Sequence, residues 1–342
     1  MASLLCLNKA ILLPREPLVT FRRDQPLSGL SSDNPFFSLF PIQTLNTAKP
    51  TVVFVLGSSG TGKSKLAISL ALRFGGEIIN SDKMQVYDGL TVITNKVTPE
   101  ECAGVPHHLL GGIHQSEDYT AVDFRRQATA VADEIISFGR LPIIAGGSNS
   151  YVKELVVGDN GAFSRRYDCC FIWVDVDRPV LHEFVAERVD KMVEQGLVAE
   201  ARSLFDPAAD YSRGIWRSIG VPEMDRYFRR EPTAGEAEKA KMLEEAFAEI
   251  KANTCKLTCA QREKIRRFES LDGWRLHRAD ATAAVLRRNE TAAGRVWEET
   301  VVAPSIEIVR RFVGGDHGLV DRCCGCAGPG DAAVAAAVGT TN

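Results

Sequence analysis

With no apolar run of about 18 residues anywhere in its 342 positions, the chain offers no helix to span a bilayer. It also lacks a strong charge of either sign. The net charge is −3 and the isoelectric point is near 6.1, so no global pull toward nucleic acid or anionic membrane follows. The nine cysteines lack the spacings of a disulfide framework, which favours a reducing compartment. Cys169 and Cys170, inside the apolar run Cys169–Val174, read as small buried hydrophobes. Cys255 and Cys259, four apart on a predicted helix, read as core, and Cys323-Cys324-Gly325-Cys326 as inert tail sequence. His107-His108 has no cysteine or acid partner at metal spacing and reads as a hydrogen-bonded loop pair.

What is present is ordinary globular material, 45% apolar and 25% charged. Residues 1–48 lack periodicity, are punctuated by proline and carry scattered basic and hydroxyl residues. They read as an organelle transit peptide or a disordered leader, with plastid, mitochondrion and cytosol all open as destinations. Residues 315–342 form a Gly/Ala/Cys tail that cannot build a core and is expected to be disordered. Between them, residues 49–314 carry one domain.

Thr51–Leu56 is a short apolar run suited to a strand buried on both faces. Lys63–Phe74 follows with helical spacing of Leu66, Ala67, Leu70 and Phe74, and Glu77–Asn80 is a second strand. Further buried strands are expected at Leu141–Ala145 and Phe171–Val176. Strand and helix in alternation predict an α/β fold with a parallel sheet, the core of which spans about 49–178. From Pro179 the pattern turns helical, and residues 179–314 are expected to form a helix-rich second lobe.

Between the first strand and helix, Gly57-Ser58-Ser59-Gly60-Thr61-Gly62-Lys63-Ser64 fits the G-x-x-x-x-G-K-[ST] phosphate loop. Backbone N–H groups there converge on phosphate oxygens at the positive end of a helix dipole. Lys63 adds a point charge, and Ser64 offers its hydroxyl to Mg²⁺. The pattern is specific for diphosphate and silent about which one. A GTPase is disfavoured, because Asn95-Lys96-Val97-Thr98 lacks the aspartate that reads guanine. Asp82 ends the second strand, at the sheet edge where ligands of open α/β sheets bind.

Around Asp82 the segment Asn80-Ser81-Asp82-Lys83-Met84-Gln85-Val86-Tyr87 resembles the signature of the isopentenyltransferase family. Val105–Gly111, Tyr119–Arg125, Gly146–Tyr151, Gly214–Glu223 and Asn253–Leu257 follow in that family's order. The resemblance covers roughly residues 51–313 and is nearer to the plant adenylate, cytokinin-making branch than to the transfer-RNA enzymes. It implies that the P-loop-type core holds dimethylallyl diphosphate with Mg²⁺, and that ADP or ATP, less so AMP, accepts the prenyl group at N6. It further implies Asp82 as the general base, and Thr61 and Ser148 as hydroxyl donors to the leaving diphosphate. Lys96, Arg125, Arg188 and Arg217 are implied to hold substrate phosphates.

Two positions depart from the family: Trp216 stands where an arginine is usual, and Ala260 precedes Gln261 where another is expected. The basic stretch Lys256, Arg262, Lys264, Arg266 and Arg267 reads as a transfer-RNA contact or a solvated face. The nearest alternative is a transfer-RNA dimethylallyltransferase. A P-loop small-molecule kinase and an inactive nucleotide-binding relative remain behind it. A monomer with no membrane partner is expected.

Overall fold

The computed structural model describes residues 49–314; the leader and the tail, with their expected disorder and the Cys323–Cys326 cluster, lie outside the described residues. Strand β1 (Thr51–Gly57) enters the phosphate loop and helix α1 (Lys63–Phe74), which ends on left-handed Gly75. Next come β2 (Gly76–Asn80), the two-residue β3 (His107–His108) and α2 (Ala121–Ser137). Helix α2 opens with a capping box in which Thr120 and Asp123 satisfy each other's backbone N–H. Strand β4 (Leu141–Ala145) leads into α3 (Asn149–Arg166), broken at Gly158–Gly161, and β5 (Asp168–Asp175) follows. Helices α4 (Arg178–Glu194), α5 (Leu197–Ser203), α6 (Asp225–Arg230) and α7 (Glu236–Phe268) form a helical stretch. Strand β6 (Leu276–Asp280), α8 (Thr282–Leu286), α9 (Ala293–Trp297), a π turn (Glu298–Val302) and α10 (Ala303–Val313) complete it.

The six strands are all parallel, in the order β3-β2-β4-β1-β5-β6. Alternation along β1 splits the core. Val52, Phe54 and Leu56 join the cluster containing Phe124, Tyr151 and Phe171, while Val53 and Val55 join that of Leu66, Leu70 and Val309. Phe54 stacks on Phe171 at 4.8 Å between centroids, and Phe171 on Trp274 at 4.4 Å. Such contacts add roughly 0.5–1.5 kcal/mol each beyond the buried area.

The helix-rich second part does not stand apart from the sheet. β6 pairs with β5 from Phe171↔Leu276 to Asp175↔Asp280, and Val296, Val301 and Val309 sit in the same core as α1. Helix α7, about 50 Å long at 1.5 Å per residue, buries Met242, Ala246, Ile250, Thr254, Thr258, Gln261, Ile265 and Phe268 on one stripe. Among the described residues no helix is long and apolar enough to cross a membrane.

The chain leaves β1 toward β2, returns to place β4 between them, and crosses β1 to reach β5. The loops after β1 and β4 therefore diverge at neighbouring strand ends, which opens a crevice there.

Candidate active site

A cleft of about 570 Å³ fills that crevice. The phosphate loop supplies one wall through Ser59, Gly60, Gly62, Lys63 and Ser64; Asp82 and Gly146-Gly147 supply another, and Arg188 reaches in from α4. The loop closes only because it is glycine-rich. Gly62 has φ +90, and a Cβ there would lie 2.5 Å from the ring of Trp297. A Cβ on Gly57 would lie 2.6 Å from the Val174 carbonyl oxygen.

Lys63 donates from Nζ to the Ser58 carbonyl at 2.7 Å. Burial, opposed by the Asp82 carboxylate and reinforced by the Arg188 guanidinium, pushes its ammonium down to about 8. Arg188 is likewise lowered by burial, with Asp82 acting against the shift. Its NH2 donates to Ser59 Oγ at 3.0 Å, while the buried Nε has no hydrogen-bond partner. Two cations are thus concentrated at the loop with Asp82 as their common counter-charge. A polyanion entering the cleft is the natural remedy for that imbalance.

Asp82 sits on the turn after β2. Its N–H donates to Asn80 Oδ1 at 3.1 Å and its Oδ1 accepts the Met84 N–H at 2.9 Å, so the carboxylate is fixed on the cleft wall. Ser64 lies on the same cleft. Among the described residues no three His, Cys, Asp or Glu side chains cluster to cage a metal ion. A hard cation that keeps most of its water and leans on substrate phosphates fits this sparse oxygen set, as Mg²⁺ does.

Several expected residues are placed elsewhere. The Thr61 hydroxyl is buried under the loop and donates to the Ser58 carbonyl at 3.0 Å, so it shapes the loop instead of facing ligand. The Ser58 side chain points away too, donating to the Thr258 carbonyl at 2.9 Å. Ser148 Oγ accepts the Lys83 N–H at 2.8 Å and holds the Asp82 turn. Lys96 donates to the carbonyls of Tyr87 and Gly89, which pins its own loop. Arg125 is ion-paired with Glu154 at 3.0 Å and Asp159 at 3.1 Å, joining α2 to α3, and does not line the cleft. Arg217 donates from Nε to Gly214 O at 3.2 Å; burial and this neighbouring guanidinium lower the Lys83 ammonium, which puts Arg217 near the Asp82 turn.

Trp216, half-buried, packs against the core and donates to the Leu204 carbonyl at 3.2 Å, whereas Ala260 is exposed on α7. His107 Nδ1 meets Val105 O at 2.8 Å and His108 Nε2 meets Glu77 Oε2 at 2.6 Å. Cys255 and Cys259 are half-buried at the seam of α7 with α4, Cys259 Sγ lying 3.3 Å from His182 Nε2, so they are not full core residues. Arg262 forms a two-pronged pair with buried Asp175, which takes it out of a free basic face, while Arg267 stays exposed in a surface pair with Glu263.

Missed by sequence reasoning is Gln261, whose side-chain Oε1 accepts the Ser59 N–H at 2.8 Å. The signal for it was a polar break, Thr254, Thr258 and Gln261, in an otherwise apolar helical stripe.

A family model described as IPP transferase matches residues 85–163 and 158–268. The chain belongs to the IPP transferase family. Adenylate isopentenyltransferase 5, chloroplastic, of Arabidopsis thaliana is 52% identical over 315 residues, covering 89% of this chain and 92% of that protein. Adenylate isopentenyltransferase 7, mitochondrial, of the same plant is 50% identical over 273 residues, covering 79% and 83%. The adenylate isopentenyltransferase of Humulus lupulus is 40% identical over 294 residues, covering 76% and 89%.

Solved structures of IPP transferase relatives share the fold. A eukaryotic dimethylallyltransferase acting on tRNA superposes with a TM-score of 0.65 at 22% identity, covering 78% of this chain and 80% of that one. The tRNA isopentenylpyrophosphate transferase of Bacillus halodurans gives 0.58 at 27% identity, covering 73% and 98%.

Proposed function

We propose that this IPP transferase is an adenylate dimethylallyltransferase, moving the dimethylallyl group from dimethylallyl diphosphate to N6 of ADP or ATP. One observation carries the reading: a single cleft holds a phosphate loop with two close cations and, across from them, the Asp82 carboxylate. Support for the free nucleotide as acceptor comes from the names of the plant relatives at 40–52% identity.

The chemistry follows from the residues. As the allylic carbon separates from diphosphate, negative charge grows on the leaving oxygens, where the loop amides, Lys63 and Arg188 counter it. Mg²⁺, held by Ser64 and the diphosphate, would add Lewis-acid stabilisation of the same oxygens. The acceptor nitrogen is a weak nucleophile because its lone pair is delocalised into the purine. Asp82 accepts its proton as the new C–N bond forms, which makes N6 reactive at the moment of attack. Relatives named chloroplastic or mitochondrial support an organellar site of action, and we place it in the plastid.

The test uses the full chain with Mg²⁺ and labelled dimethylallyl diphosphate, offering AMP, ADP, ATP and unmodified transfer RNA in parallel. Label on free ADP or ATP is the expected result. Label on RNA alone would transfer the reading to the tRNA-modifying branch, and no label anywhere would refute prenyl transfer.

A further inference from the structure

We propose that Gln261 is a positioning residue that sets the spacing between the phosphate loop and the Asp82 edge of the cleft. The inference rests on the prenyl-transfer reading and deepens it. Gln261 is 8% exposed on α7, some 200 residues along the chain from the loop it serves. Its Oε1 accepts the Ser59 N–H at 2.8 Å, and its Nε2 donates to the Gly147 carbonyl at 2.9 Å. Its backbone oxygen accepts from Asn149 Nδ2 at 2.9 Å, and one turn earlier the Thr258 carbonyl accepts from Ser58 Oγ at 2.9 Å. One turn of α7 therefore grips both loops that line the crevice.

Gly147 completes the file toward the base. A Cβ there would lie 2.5 Å from Gln261 Nε2 and 3.2 Å from Asp82 Oδ2, so only a glycine fits between the amide and the carboxylate. A primary amide suits the place because one end must accept and the other must donate. A carboxylate would face the Gly147 carbonyl with a second acceptor and set a negative charge beside the diphosphate. An aliphatic side chain would leave the Ser59 N–H and the Gly147 carbonyl without this partner. Displacing a reacting group by about 1 Å costs on the order of 10²-fold in rate. That is the scale at which this strut acts.

The test compares Gln261→Leu and Gln261→Glu with the wild type. The readings are kcat, KM for both substrates, Tm, and affinity for inorganic diphosphate with Mg²⁺. Gln261→Leu is expected to lower kcat roughly 10- to 100-fold and diphosphate affinity about tenfold, with the KM for nucleotide within about threefold. Gln261→Glu is expected to regain kcat relative to wild type as pH falls from about 8 to 6, since a protonated carboxyl both accepts and donates. A merely structural residue would lower Tm and the active fraction without that pH-dependent recovery. Wild-type turnover and diphosphate affinity in Gln261→Leu, or an unchanged relative pH profile in Gln261→Glu, would overturn the proposal. If the wild type transfers no prenyl group, the reaction assignment fails, and the diphosphate affinities alone decide the role of Gln261.

Discussion

Lys63 gives the sharpest quantitative prediction. Its ammonium is held at about 8 in the folded chain against an ordinary 10.5. At roughly 1.4 kcal/mol per pH unit, this corresponds to at most about 3.5 kcal/mol of destabilisation of the empty protein when the lysine is charged. The folded value lies below the unfolded one, so the penalty is fully present below pH 8. It fades as pH rises from about 8 to 10.5, and the empty protein gains stability across that window. Diphosphate reverses the balance, because its negative charge favours the ammonium. The assay is kcat/KM for dimethylallyl diphosphate against pH, with Tm measured in parallel with and without inorganic diphosphate. Above about pH 8, kcat/KM should fall by about tenfold per unit, and the rise in Tm caused by diphosphate should shrink over the same range. Lys63→Arg stays charged throughout and should flatten that limb. An alkaline limb that survives unchanged in Lys63→Arg would belong to another group and refute the reasoning.

Asp82→Asn should lower kcat by about 100-fold or more while keeping affinity for inorganic diphosphate, since the base is lost and the loop is spared; turnover within threefold of wild type would remove the base role. Gly62→Ala should lose about 1–3 kcal/mol of stability and most diphosphate binding, through backbone strain at φ +90 and collision with Trp297. An unchanged Tm and affinity would contradict that geometry. Arg125→Ala should leave turnover within threefold and alter stability by less than about 1 kcal/mol, as its partners are two partly exposed carboxylates. A tenfold loss of nucleotide affinity would return Arg125 to the site.

The strands that lie inside the sheet were legible because burial on both faces leaves an uninterrupted apolar run, as at Val52–Leu56 and Ile143–Ala145. Edge strands carry no such mark. Leu276–Asp280 alternates His277 and Ala279 inward with Arg278 and Asp280 outward, too short and too charged to announce a strand. The phosphate loop and Asp82 were legible for a different reason, since both belong to contiguous segments whose chemistry is fixed by neighbours in the chain. The roles of Thr61, Lys96 and Arg125 were not. A hydroxyl or a cation advertises the ability to bind, while its partner, such as the Ser58 carbonyl, the Tyr87 carbonyl or Glu154, is chosen by tertiary packing. Gln261 shows the converse case, in which an uncharged amide far along the chain enters the site by way of a helix.

The Trp297 ring beneath Gly62 bears on the order in which the protein becomes competent. A motif synthesised within the first quarter of the chain receives its floor only when residues near 300 have been made and folded back. A nascent or prematurely terminated chain could form the early strands and still present an unsupported turn to diphosphate. Ligand capture thus becomes a late event of maturation, and a fragment ending before Trp297 should bind no diphosphate, however well its sheet is paired.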